Sequence, residues 1–143
     1  MPRTVAEKMG VRAGGRAHLV NAPREVVRTM ELPELDVRRD LRSMFDHLHL
    51  FCVRAGELDA AFPRLKRHLR PTGALWVSWP KGRKLGADLT LPTVIEIGYR
   101  HGLVESTTLR VDDTWSAMKF THPKAGTVYR NSYGTLPAED SPT

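Results

Sequence analysis

Asp46-His47-Leu48-His49-Leu50-Phe51-Cys52-Val53 is the stretch that decides the fold. After its opening His47 it is apolar on both alternating faces. A strand of that kind needs cover on both sides, and it belongs in the middle of a parallel sheet flanked by helices. Working outward, Glu57 to Leu69 puts Leu58, Phe62, Leu65 and Leu69 at spacings of 4, 3 and 4, one apolar stripe of a helix. Pro63 lies inside that helix and should kink or interrupt it. Arg70-Pro71-Thr72-Gly73 is the stop signal. Ala74-Leu75-Trp76-Val77-Ser78-Trp79 is the next strand, ended by Pro80, and a polar loop follows to Asp88.

Farther along, Thr90 caps a helix with Pro92 in its first turn, and Gly102 suits its left-handed end near Arg100. Leu103 to Val111 and Thr114 to Thr121 read as two strands joined at Asp112-Asp113. Upstream, Thr4 and Glu7 form a capping box for a short helix through Met9. Ala17 to Asn21 is a strand, Arg24 to Met30 a brief helix behind Pro23, and Leu35 to Arg38 a weak second strand. Strands alternate with helices until the closing hairpin. The expectation is a three-layer, Rossmann-like α/β domain over residues 1–121, mostly parallel with a C-terminal antiparallel hairpin. Residues 122–143, rich in Pro, Gly, Ser and Thr, are expected to form a flexible tail.

The totals agree with one such domain. The 143 residues are 41% hydrophobic and 27% charged, the balance of an ordinary globular chain. No apolar run is long enough to span a bilayer. The N-terminus has no apolar signal core, so the expected location is cytoplasmic. Cys52, the one cysteine, lies in an apolar run and reads as a buried structural thiol. The net charge of +6 is scattered along the chain and lacks any nucleic-acid reading motif. A solvated face explains it, which points to a small-molecule or protein partner rather than nucleic acid or a membrane.

Three stretches resemble the class I methyltransferase fold. They are Val11 to Val20 before and through the first strand, Leu69-Arg70-Pro71-Thr72-Gly73-Ala74-Leu75 ahead of Trp76-Val77-Ser78, and the closing hairpin. The resemblance implies a methyltransferase-like layout lacking one strand–helix unit between Val37 and Asp46. More closely, residues 3 to 121 resemble a family of small bacterial proteins known as a domain of unknown function. Val20-Asn21-Ala22-Pro23, Trp76-Val77-Ser78-Trp79-Pro80-Lys81 and Asp113-Thr114-Trp115-Ser116-Ala117-Met118-Lys119-Phe120 carry that likeness. It implies a fold and no particular reaction.

The departure from the methyltransferase pattern comes at the first strand–helix turn. A nucleotide-type cofactor needs glycines there so that the backbone can approach it and helix N–H groups can face it. Asn21-Ala22-Pro23-Arg24 has none, and Pro23 removes a donor. The second strand should end on an acid for the ribose hydroxyls, yet Val37 is followed by Arg38 and Arg39. The chain is therefore expected to take no cofactor, and S-adenosylmethionine weakly at most.

Ligands of open parallel sheets bind beyond the carboxyl ends of the strands. Asn21, Trp79, Lys81, Asp113, Trp115 and Ser116 are the candidate ligand-binding residues of that edge. An amide, a cation, a carboxylate and two flat walls suit a small polar or aromatic ligand. The same residues suit a structural cluster, with the tryptophans at the rim of the core and Lys81 paired to Asp113. His47 and His49 point the same way but make only two metal ligands, too few for zinc, so no metal is expected. No nucleophile elbow surrounds Ser78 or Ser116, and no acid–base pair stands out. The sequence thus favours a non-catalytic ligand- or partner-binding module and names no catalytic residue. The alternative is a small enzyme acting at the carboxyl edge through Lys81 and Asp113.

Overall fold

The computed structural model describes residues 3–137. Its elements run α1 (Val5–Met9), β1 (Arg16–Val20), α2 (Arg24–Met30), β2 (Asp36–Val37), β3 (Phe45–Phe51) and α3 (Ala55–Lys66). Then come β4 (Leu69–Pro80), a kinked turn segment at Lys81–Gly86, α4 (Leu91–Arg100), β5 (Val104–Arg110) and β6 (Trp115–Thr121). The strands form a single six-stranded sheet in the order β2-β1-β3-β4-β6-β5. β2, β1, β3 and β4 are parallel, and β6 runs antiparallel to both β4 and β5. This is the Rossmann-like layout with an antiparallel hairpin.

Strand alternation sorts the core into two layers. Leu48, Leu50, Leu75, Val77, Trp79, Met118 and Phe120 pack with α3 and α4, whose Leu58, Phe62, Leu65, Val94 and Ile97 supply the facing stripes. On the other face Phe51, Trp76, Trp115 and Ala117 pack with Met9 of α1 and with Val26 and Met30 of α2. α4 packs tightly on β6 at Gly98, where a Cβ would overlap the ring of Phe120.

Two boundaries differ from the sequence reading. α3 runs on through Pro63 but ends at Lys66, before Leu69. The His68 carbonyl accepts from the Phe45 N–H at 2.7 Å, which turns the chain into the sheet and makes Leu69 the first residue of β4. Residues 70–73 then bulge, since Leu69 pairs with Phe45 while Ala74 pairs with His47. Gly73 permits that bulge. A Cβ there would stand 3.0 Å from the carbonyl oxygens of both Phe45 and Asp46.

The segment between β2 and β3 contains neither helix nor strand. Arg38 N–H donates to the Ala17 carbonyl at 2.9 Å, the Arg38 carbonyl accepts from His18 Nδ1 at 2.9 Å, and Leu41 packs on the α3 and α4 side of the core. Seven residues, 38–44, thus cross β1 where a strand–helix unit would otherwise stand. At the other end of the chain, part of the segment after Thr121 lies on the domain. Asn131 Nδ2 donates to Glu105 Oε1 at 2.9 Å, and Tyr129 and Leu136 pack against the core. Residues 138–143 of the expected tail lie outside the described residues.

Candidate functional site

The carboxyl edge of the parallel strands begins at Asn21. It is exposed and takes a left-handed backbone, φ 57°, a conformation that asparagine adopts more readily than most residues. Asn21 thereby makes the sharp turn that glycine usually makes, but its side chain remains at the corner. Pro23 follows as the N-cap of α2 with no side-chain capping bond, and its carbonyl accepts from Val26 and Val27. The corner is tight, and its helix is only seven residues long.

The neighbouring strand falls short of this edge. β2 pairs only with Arg16 and Ala17 of β1, so it ends three residues below Val20. At ~3.3 Å per residue the gap is about 10 Å. Asp36 of β2 is paired with Arg38 at 2.9 Å and Arg16 at 3.6 Å, and the Arg38 guanidinium beside it holds its carboxyl below the ordinary range. No acid from β2 reaches the corner.

The other candidate residues are spread over both faces. Trp79 is buried with α3 and α4, whereas Trp115 is buried with α1 and α2. The cross-strand register explains this: Trp79 stands opposite Ser116, and Trp115 opposite Pro80, so Ser116 shares the face of Trp79. Lys81 uses its backbone N–H on the Thr114 carbonyl at 2.7 Å. Asp113 is exposed; its carboxylate pairs with Arg110 at 2.6 Å, and its carbonyl accepts from Lys84 Nζ at 2.8 Å. Lys84 rather than Lys81 is thus the lysine that reaches Asp113. These bonds tie the Lys81–Gly86 segment to the hairpin turn. Asn21 stands three strands away from Trp115, about 14 Å at the usual inter-strand spacing.

Buried polarity lies elsewhere, on the α1 and α2 face of β3. His49 Nε2 is 2.7 Å from Ser78 Oγ, its ring stacks on Phe51 at 4.3 Å, and its Nδ1 has no partner among the described residues. His47 lies 6.0 Å away edge to face, and its Nε2 also has no partner among the described residues. Burial pushes the His47 imidazole down to about 4 and that of His49 well below its ordinary value, so both are neutral at pH 7. Cys52 is buried too, and burial pushes its thiol up to about 12, far from a reactive thiolate.

At the amino edge of the strands, under the segment that follows α1, there is a cavity of about 720 Å³. Arg12, Gly14, His47, Thr72, Trp76 and Lys119 are among the residues lining it. The sequence reading placed its site at the opposite edge and missed this one. Two signals pointed to it: a histidine within a buried strand, and the Gly10 and Gly14-Gly15 breaks between α1 and β1.

Comparisons with known proteins bear on the fold. No protein-family profile matches the chain, and no curated protein matches it. Solved structures do. The ribosomal protein L11 methylase of Lactobacillus delbrueckii subsp. bulgaricus aligns with a TM-score of 0.57 at 12% identity, over 83% of this chain and 75% of that one. The N-methyltransferase NodS of Bradyrhizobium japonicum gives 0.54 at 15% identity, over 84% and 91%. Magnesium protoporphyrin IX methyltransferase of Synechocystis, with bound SAH, gives 0.55 at 12% identity, over 82% and 78%. At such identities the likeness concerns the backbone alone. The chain has the fold of the SAM-dependent methyltransferases, reduced by the unit that would stand between β2 and β3.

Proposed function

We propose that the protein is a non-catalytic binding module built on a methyltransferase fold, taking a small molecule or a protein partner and no S-adenosylmethionine. The observation that carries this reading is the ending of β2 three residues below Val20, beside a corner made of Asn21, Ala22 and Pro23. A cofactor of this kind needs backbone amides at the corner and a carboxylate on the adjacent strand end. Here the corner has a proline, the adjacent strand stops early, and Arg38 and Arg39 follow it. The dispersal of Asn21, Lys81 and Asp113 along the edge argues against a shared acid–base centre there.

The test is the melting temperature of the full chain with and without S-adenosylmethionine or its demethylated product. A ligand at a hundred times its Kd adds about 2.7 kcal/mol of stability. For a chain of this size that is a rise of several degrees. No rise is expected at about 1 mM of either compound. A rise of several degrees, or methyl transfer to any acceptor, overturns it.

A further inference from the structure

The amino-edge cavity carries an inference independent of the carboxyl corner. Its floor is the α1 and α2 face of the sheet, where Trp76 pairs with both His49 and Lys119, and His47 with Ala74. Thr72 and Gly73 of the bulge and the Gly10–Gly15 segment form its walls. His47 is only 5% exposed, lines the cavity, and has an Nε2 without a partner among the described residues. A buried imidazole nitrogen left without a partner is costly, so it marks a place built to meet a polar group.

The charges around it that lack a partner among the described residues have one sign. Arg12 and Lys119 both line the cavity, and neither has an ion-pair partner among the described residues. Asp46 is the only acid among the lining residues, and it is already engaged. Its Oδ2 accepts from the Arg16 N–H at 2.9 Å, and its Oδ1 lies 3.6 Å from Arg70 Nε. Two cations unpaired among the described residues, a neutral imidazole and the Thr72 hydroxyl suit an anion that also has a hydrogen-bonding group. The volume is that of a pocket for a small organic molecule rather than a bare ion.

We propose that this amino-edge cavity binds a small organic anion, its carboxylate or phosphate held between Arg12 and Lys119 and a second polar group meeting His47. The site lies at the opposite edge from the corner on which the proposed function rests, so the two stand or fall separately. The test is a two-dimensional amide NMR titration of the full chain with citrate in one arm and inorganic phosphate in the other. We expect saturable shifts in at least one arm, centred on Arg12 to Gly15, His47 and Lys119; the arm that saturates at lower concentration identifies the anionic group. Arg12→Gln, at an exposed position, and Lys119→Gln, at a half-buried one on β6, should each weaken that affinity by about tenfold, the loss of one charged hydrogen bond. Arg64→Gln, on the exposed side of α3, should leave it unchanged. No saturable shift up to about 10 mM of either probe overturns the proposal. So does equal weakening by Arg64→Gln, or a response centred on Asn21.

Discussion

His49 Nε2 and Ser78 Oγ meet at 2.7 Å across the β3–β4 pair, both residues wholly buried. This is the one hydrogen bond that the His49 ring makes among the described residues, because its Nδ1 has no partner there. Ser78→Ala would strand both nitrogens in the core. Leaving a buried polar group unpaired costs about 1–3 kcal/mol. Urea unfolding at pH 7 should show a loss of that size. Retention of wild-type stability would mean that the pair contributes nothing to the fold.

His47 gives the fold an acid sensitivity with a definite sign. Its ordinary value of 6.5 falls to about 4 in the native state. As pH drops below 6.5 the unfolded chain takes up the proton first, so stability is lost. The contribution is complete above pH 6.5 and fades on the way down to 4, by about 3 kcal/mol from this group. His49, shifted in the same direction, adds to it. The urea midpoint should therefore fall between pH 7 and pH 4.5, and His47→Leu should flatten that limb. An unchanged slope in the variant would contradict the assignment.

Gly98 supports close contact between α4 and β6. Alanine in a helix ordinarily adds stability over glycine, by about 1 kcal/mol. At this position the added carbon would lie 2.1 Å from Phe120 Cε1, within the packed core. Gly98→Ala should therefore destabilise by about 1–3 kcal/mol, the usual cost of overpacking. A thermal melt distinguishes the two signs.

Asn21 holds the first corner through its backbone. At φ 57° glycine is the residue best suited to replace it, and a β-branched residue the least. Asn21→Gly should be within about 0.5 kcal/mol of wild type, and Asn21→Val lower by 1 kcal/mol or more, roughly the cost of forcing that backbone. Equal stability of the two variants would remove the corner's strain from the account.

The layered sheet was legible because period and length are local properties. The apolar run from Leu48 to Val53, the capping box at Thr4 and Glu7, and the Asp112-Asp113 turn each identify their elements without tertiary information. The end of α3 was not legible. Leu69 completes the helical stripe in sequence, yet the Phe45 N–H captures the His68 carbonyl and the sheet takes Leu69 instead. The grouping of Trp79 with Trp115 was beyond local reading for a similar reason. Their faces depend on the pairing of β4 with β6, which sets Trp79 against Ser116 and Trp115 against Pro80. The amino-edge cavity forms from α1, the bulge after Leu69 and β6 together, and no single stretch announces it.

Isothermal titration of S-adenosylmethionine into the full chain at pH 7.5 probes the first corner itself. A corner of Asn21, Ala22 and Pro23, with β2 ending level with Ala17, predicts no saturable heat up to about 1 mM. A micromolar dissociation constant that weakens on Asn21→Val would show instead that S-adenosylmethionine binds at this corner.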